Sequence, residues 1–295
     1  MSEIVELIKV LRERTGAGLM DCKHALVACN NDLDASVTWL REKGIAKQAK
    51  KAGRIAAEGL TTVLVNGNDA VILEINCETD FVAKADPFTN LVKETAKVAL
   101  ANKPSDVQTL LNEKSSDGHT VADLFNDAGI KLGEKLDLRR FAVVSKNDDE
   151  LFGSYIHMGG AISVLLKVKG GDQELADNLA MSICSTNPSY LTSDDIDPSE
   201  FAKEKEIQIE KAKEDASFAK KPAAIQEKII EGRVSKHFEE QVLAFQEYIL
   251  DSTKKVGDVL KANKCTPISF TMYKVGEGIE KKVTDFAAEV AKELQ

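Results

Sequence analysis

Between Cys77 and Lys84 the chain runs Cys-Glu-Thr-Asp-Phe-Val-Ala-Lys. Within it, Asp80 and Phe81 are the pair whose residue types could act on another molecule. Phenylalanine supplies a rigid apolar wedge and aspartate a fixed negative charge. Placed side by side just past a strand end, where folds present residues to partners, they could disturb a cation site on a second protein. A structural reading competes with this one. Thr79 or Asp80 would cap a helix start, and Phe81 would fill the core. Spacing alone leaves both open. The element that must position the pair is the apolar run Ala70-Val71-Ile72-Leu73-Glu74-Ile75-Asn76, expected as a strand.

Other chemistry is sparse. The five cysteines (Cys22, Cys29, Cys77, Cys184, Cys265) form no CxxC pair and are expected as reduced, mostly buried thiols. The four histidines (His24, His119, His157, His237) show no HxxxH spacing, so a metal site has little support. No GxxxxGK[ST] loop occurs, and Val275-Gly276-Glu277-Gly278 is only a fragment of a glycine-rich phosphate pattern. No nucleophile elbow or Cys-His constellation stands out. These absences argue against a hydrolase and against a nucleotide held by this chain.

A length of 295 residues exceeds one compact core, and 43% hydrophobic content supports several. A net charge of -9 argues against general nucleic-acid binding, which needs a basic face. No apolar run approaches the length of a membrane span, and Met1-Ser2-Glu3-Ile4 lacks the layout of a secretion signal. The expectation is a cytoplasmic protein.

Residues 1 to 54 read as three short helices. Ile4, Leu7, Ile8 and Leu11 share one helical face. Thr15-Gly16-Ala17-Gly18 breaks that helix, and a second runs from Leu19 to Cys29. Asn30-Asn31-Asp32 ends it and can cap a third, expected to reach Gly44. Leu19 and Met20, after the glycine turn, either contact a partner or close the three-helix core. Lys43, Lys47, Lys50, Lys51 and Arg54 form a basic stretch without aromatic residues between them. That favours a solvated linker helix over RNA binding, which uses stacking platforms.

The middle of the chain repeats. Leu60–Val65 and Ala70–Cys77 read as paired strands around an Asn66-Gly67 turn, followed by a helix from about Pro87 to Ala101. Phe152–Ile156 and Ala161–Lys169 repeat the pair around His157-Met158-Gly159-Gly160, followed by a helix from about Asp172 to Cys184. A ββα unit used twice predicts two related α+β halves. The copies differ at the joint between second strand and helix. The second closes it with Gly170-Gly171, whereas the first spends Glu78 to Asp86 on it. The extra residues contain Thr79 to Val82, which tilts the reading of Asp80 and Phe81 toward function. Between the copies lie helices near 107–111 and 121–128 and a strand near 136–144.

From Pro198 to Glu240 there are 10 acidic and 9 basic residues. Phe201, Ile207, Ile209 and Ala212 make one thin apolar stripe, and Ile225, Ile229, Ile230 and Val234 another, with Lys220-Lys221-Pro222 between them. Two antiparallel helices with a narrow seam are expected, protruding from the body. Ile268–Tyr273 reads as a strand of the second half. A last helix is expected from Thr284, where Thr284-Asp285-Phe286-Ala287 nearly repeats Thr79 to Val82. The tetrapeptide alone is therefore not specific.

Several longer motifs carry a resemblance. They are Leu11-Arg12-Glu13-Arg14-Thr15-Gly16-Ala17-Gly18 with Met20-Asp21-Cys22-Lys23, Asn76-Cys77-Glu78-Thr79-Asp80-Phe81-Val82-Ala83, Gly153-Ser154-Tyr155-Ile156-His157, and Val275-Gly276-Glu277-Gly278-Ile279-Glu280-Lys281. On these the chain resembles, end to end, the bacterial translation elongation factor Ts family, the guanine-nucleotide exchange factors of elongation factor Tu. The resemblance implies an α+β fold in five parts. These are a UBA-like three-helix module (1–54), a core subdomain N (55–148), a core subdomain C (149–196 and 241–274), a coiled-coil helical hairpin (197–240) and a C-terminal module (275–295).

The resemblance also implies roles. Thr79, Asp80, Phe81 and Val82 would enter the partner near its magnesium site and dislocate the ion. His157, Leu19 and Met20 would be further partner contacts, as would the C-terminal helix. The expected partner is elongation factor Tu, with self-association through core subdomain C or the hairpin as a further expectation. No enzyme activity, cofactor, metal, membrane contact, direct nucleic-acid contact or bound nucleotide is expected of this chain. The alternative is an adaptor or RNA-associated scaffold using the three-helix module and the hairpin.

Overall fold

The computed structural model describes residues 3–215, 217–219 and 221–280. Helix accounts for about half of the chain and strand for less than a quarter, a mixed helix-and-sheet architecture with helices first. Two compact units emerge. One comprises residues up to Val144, Met158–Ile162 and the chain from Tyr273; the other comprises Ser145–His157 and Ser163–Met272.

The first unit opens with α1 (Glu3–Thr15), α2 (Leu19–Ala28) and α3 (Leu33–Lys51). Gly16 takes φ 68°, which lets the chain turn sharply between α1 and α2. Asp32 caps α3 by accepting from the Ala35 N–H at 2.8 Å. Leu11, Ala17, Cys22, Ala25, Leu26 and Leu40 close a small core. One expectation is corrected here: α3 does not stop at Gly44. It runs on to Lys51, so the basic stretch begins within the helix itself. Gly44 serves packing instead, because a Cβ there would lie 2.0 Å from Ile130 Cδ1.

Strands β1 (Glu58–Asn66) and β2 (Asp69–Cys77) pair antiparallel, with Asn66 opposite Asp69. That register makes Gly67 and Asn68 the turn residues, one position later than the expected Asn66-Gly67. Gly67 takes φ 60° at the first turn position, where a glycine suits a tight hairpin. Next come the short helix α4 (Asp80–Ala83), then α5 (Asp86–Asn102), α6 (Val107–Asn112) and α7 (Val121–Leu132). Thr120 and Asp123 form a capping box at the start of α7, and Gly133, at φ 75°, ends it. β3 (Asp137–Ser145) completes a sheet of order β1-β2-β3.

Alternation along β2 divides its side chains between two faces. Val71, Leu73, Ile75 and Cys77 share one core with Phe88, Val92, Ala96 and Ala99 of α5. Burial of each large apolar side chain there stabilises by about 1.5–3 kcal/mol. Glu74 points the other way and is fully buried. Its Oε1 accepts from Arg139 Nη1 at 3.0 Å and from the Gly276 N–H at 2.8 Å, and its Oε2 accepts from Arg140 Nε at 2.6 Å. Burial pushes this carboxyl up, but the Gly276 N–H and the two guanidiniums outweigh it and hold it below the usual range. Val275-Gly276-Glu277-Gly278 therefore serves as a clasp on a buried carboxylate. Gly276 is required there, at φ 69°, because a Cβ would sit 2.2 Å from the Ala57 carbonyl oxygen.

The second unit is built on β4 (Glu150–His157), β5 (Ile162–Lys169) and β8 (Thr266–Lys274), in the order β4-β5-β8. Helix α8 (Gln173–Thr186) contributes Leu175, Ala176, Leu179, Ala180 and Ile183 to a core with Val164, Leu166 and Val168. It approaches β4 so closely that a Cβ on Gly153 would lie 2.1 Å from the Ala176 carbonyl oxygen. Glu247–Tyr248 (β6) and Asp251–Lys255 (β7) pair as a short ribbon before α11 (Val256–Ala262). The polar run of β7 has no apolar alternation to announce a strand.

Helices α9 (Pro198–Lys213) and α10 (Ala223–Glu239) pack against each other in the same unit. The expected seam holds in part, since Ile209 and Ile229 pack against this core, and is corrected in part. Ala212, Ile230 and Val234 are buried, but Phe201, Ile207 and Ile225 are exposed. Phe218, in the turn, and Phe238 complete the core instead. A turn residue can fold back onto a helix pair, which helical periodicity does not anticipate. The helix expected from Thr284 lies outside the described residues, as do Ala216 and Lys220 in the turn between α9 and α10.

Candidate functional site

The second β-strand delivers the chain at Cys77, and the next residues form a single helical turn rather than a loop. Thr79, extended at φ −129°, is its N-cap, and its Oγ1 accepts from the Val82 N–H at 3.3 Å. A helical turn separates side chains by about 100° per residue, so the four residues of α4 cannot share a face. Ala83 is buried and Val82 packs on the core beneath β2. Asp80 and Phe81 are left facing outward. Phe81 is 83% exposed, which overturns the reading that placed its ring in the core. The capping half of that reading is right, and Thr79 is the cap.

Asp80 is paired within its own turn. Lys84 Nζ lies 2.8 Å from its Oδ2, and this hydrogen bond holds the Asp80 carboxyl below its ordinary value. The site thus presents an unburied aromatic ring beside a carboxylate kept charged.

The turn has a support that the sequence does not reveal. Glu134, just past the end of α7, accepts from the Glu78 N–H and the Thr79 N–H with one oxygen, each at 3.0 Å. Its other oxygen accepts from the Thr79 hydroxyl at 2.6 Å. Glu78 returns the contact: its Oε1 accepts from the Lys135 N–H at 2.7 Å and from Arg54 Nη1 at 3.2 Å. Lys135 Nζ in turn donates to the carbonyl oxygens of Ala52 and Arg54. Beneath the turn, the Cys77 thiol donates to the Thr79 carbonyl. Burial, with the nearby Glu134 carboxylate, pushes that thiol up to about 12, so it stays protonated as a donor. Glu134 lies 55 positions from Thr79, and no short-range pattern links them. The only sequence signal is Gly133, a helix stop that frees the following residue to turn away.

The other expected contacts are distributed. Leu19 and Met20 stand at the first turn of α2, 52% and 55% exposed, so they do not close the three-helix core. His157 ends β4 in the second unit and is half-buried, its Nδ1 3.2 Å from the Tyr155 hydroxyl. Met158 and Gly159 after it adopt positive φ, at 47° and 66°. Among the described residues, no group of three or more His, Cys, Asp or Glu is placed to hold a metal ion. Among them, too, no helix is long and apolar enough to cross a membrane.

The family described as Elongation factor TS matches residues 78–277, roughly two thirds of the chain. This chain belongs to the elongation factor Ts family. The matched span begins at Glu78, so it takes in all of α4 and its cap, together with Glu134, His157 and the Gly276 clasp. Leu19 and Met20 precede it.

Proposed function

We propose that this chain binds elongation factor Tu in its GDP-bound form and promotes GDP release, so that GTP can replace it. Family membership supports the class of function. The observation that carries the mechanism is an almost fully exposed Phe81 on a helical turn braced from behind. Exposing such a ring is unfavourable in the free protein, and bracing it removes the ordering cost at binding.

In this reading Phe81 pries apart the loops that support the partner's magnesium and Asp80 competes at its polar shell, while Thr79 caps and Val82 anchors the turn that carries them. Magnesium neutralises phosphate charge, so displacing it loosens the nucleotide. The coupling is reciprocal: the factor by which this chain weakens GDP is the factor by which GDP weakens this chain. No covalent bond is made, so the chain acts as an exchange factor rather than an enzyme, and it would work in the cytoplasm beside its partner. Leu19, Met20 and His157 are further contacts in the same proposal. Residues 1–54 act as the UBA-like module, and 197–240 as the coiled-coil hairpin.

The adaptor or RNA-scaffold reading loses support at the basic stretch. Lys51 donates to the Gly133 carbonyl, and Arg54 pairs with Glu78, so both cations are engaged within the fold.

The test is release of a fluorescent GDP analogue from purified elongation factor Tu, with and without this chain and its Phe81→Ala variant. Strong acceleration by the wild type and weak acceleration by the folded variant are expected. No acceleration by folded wild type would refute exchange.

A further inference from the structure

We infer that Glu134 is a positioning residue for exchange, holding α4 in its competent form before the partner arrives. The inference rests on the exchange reading above and names what sets its effective affinity.

A four-residue helix has too few internal hydrogen bonds to persist alone, because nucleating one turn is unfavourable. Something outside α4 must hold it. Val82 and Ala83 supply apolar anchorage from one side only, and Phe81 supplies none. The Cys77 thiol donates one bond to the Thr79 carbonyl, and the Glu134 carboxylate accepts three, from two consecutive backbone N–H groups and one hydroxyl at the residues that begin the turn. Bonds to an ionised acceptor are about twice as strong as neutral ones. Their target is well chosen, since fixing the backbone of Glu78 and Thr79 fixes the direction in which α4 leaves β2. The Thr79 hydroxyl is used twice, donating to Glu134 and accepting from the Val82 N–H. Glu134 thus acts on the turn through its cap.

The segment bearing Glu134 is itself anchored. Glu78 accepts from the Lys135 N–H, Lys135 Nζ ties that segment to the carbonyls of Ala52 and Arg54 just after α3, and the Arg54 guanidinium holds Glu78. Residues 78–79 and 134–135 therefore form a two-way clasp, each using a carboxylate against the other's backbone. Both residues are half-buried, with each carboxylate turned onto the other segment's backbone, and the inferred route from Glu134 to a partner is through α4.

This role has a kinetic signature. If α4 is competent only a fraction of the time, the apparent affinity falls by that fraction, while the bound complex works normally. In Glu134→Ala, the concentration giving half-maximal GDP release should rise about 10-fold, and the maximal rate should stay within about twofold. Hydrogen exchange at the Val82 and Ala83 amides, neither of which bonds Glu134, should lose protection about 10-fold in the free protein. A merely structural role would instead lower the thermal midpoint and the maximal rate together. Glu134→Gln keeps an acceptor oxygen and the same shape, and it should fall between the two proteins in both readouts.

Wild-type half-saturation together with wild-type protection at Val82 and Ala83 in Glu134→Ala would overturn the inference. Should Glu134→Ala fail to fold, Glu134→Gln carries the same two readouts with the same overturning result. If wild type itself fails to release GDP, the exchange reading falls, and amide protection in the free protein still decides whether Glu134 holds the turn.

Discussion

The two strand-to-helix joints solve one connection in opposite ways. In the second unit, β5 passes to α8 through Gly170 and Gly171, both at positive φ, and Asp172 caps the helix by accepting from the Leu175 N–H. The backbone there is tight enough that a Cβ on Gly170 would lie 2.2 Å from the Lys264 carbonyl oxygen. In the first unit, β2 passes to α5 through an extra helical turn that leaves Phe81 in solvent. The first helix lacks even a side-chain cap at Ala85. The short joint satisfies its backbone and ends. The long one recruits Glu134 to hold a shape that places an aromatic ring outside. Under the proposed function that ring is the partner-facing element.

The comparison is most strongly tested at its tight end. Gly170→Ala forces a side chain into a backbone carbonyl at φ 79°. It should destabilise the protein by about 3 kcal/mol, combining left-handed strain and overpacking, read as a lower midpoint in denaturant. A wild-type midpoint would show that the second joint is looser than described. Phe81→Ala should do the reverse. It should cut GDP release about 30-fold, as loss of an interface hot spot does, and leave the melting temperature unchanged. A large fall in stability would mean that the ring is structural after all.

The root of the long joint is β2, and Glu74 tests it. Its folded-state carboxyl is held below its unfolded value, so its contribution is present above about pH 4.5 and is lost as the pH falls through the lower folded value. Glu74→Gln should cost about 2 kcal/mol at pH 7, and the gap to wild type should close toward pH 3. A gap constant with pH would remove the charge from the account. The smallest effect is expected of Lys84→Ala. The Asp80–Lys84 pair is solvent-exposed, and such pairs contribute little to stability. Thermal melting should not change, whereas the Asp80 carboxyl, followed by NMR titration, should move back up toward its ordinary value.

Much of this was legible in the residue order. The ββα repeat follows from alternation and turn residues, and these are local. The unequal joints are visible in the residue order of the two copies, and the longer one contains Asp80 and Phe81. Gly44 reads as the end of the third helix because a glycine inside a helix looks like a stop. Only the packing of Ile130 against it shows why the helix continues. Periodicity finds Ile209, Ala212, Ile229, Ile230 and Val234 of the α9–α10 seam but not Phe218, which enters that core from the turn.

The sequence by itself determined most of the elements, though not β6 and β7, together with the doubled unit, the added residues after β2 and the family likeness, because periodicity, caps and motif order act over a few positions. Only the tertiary structure decided that Phe81 is exposed, that Val275-Gly276-Glu277-Gly278 clasps Glu74, and that Glu134 braces Thr79. Those are contacts between distant positions. Burial and hydrogen bonding choose among faces that local spacing leaves equivalent.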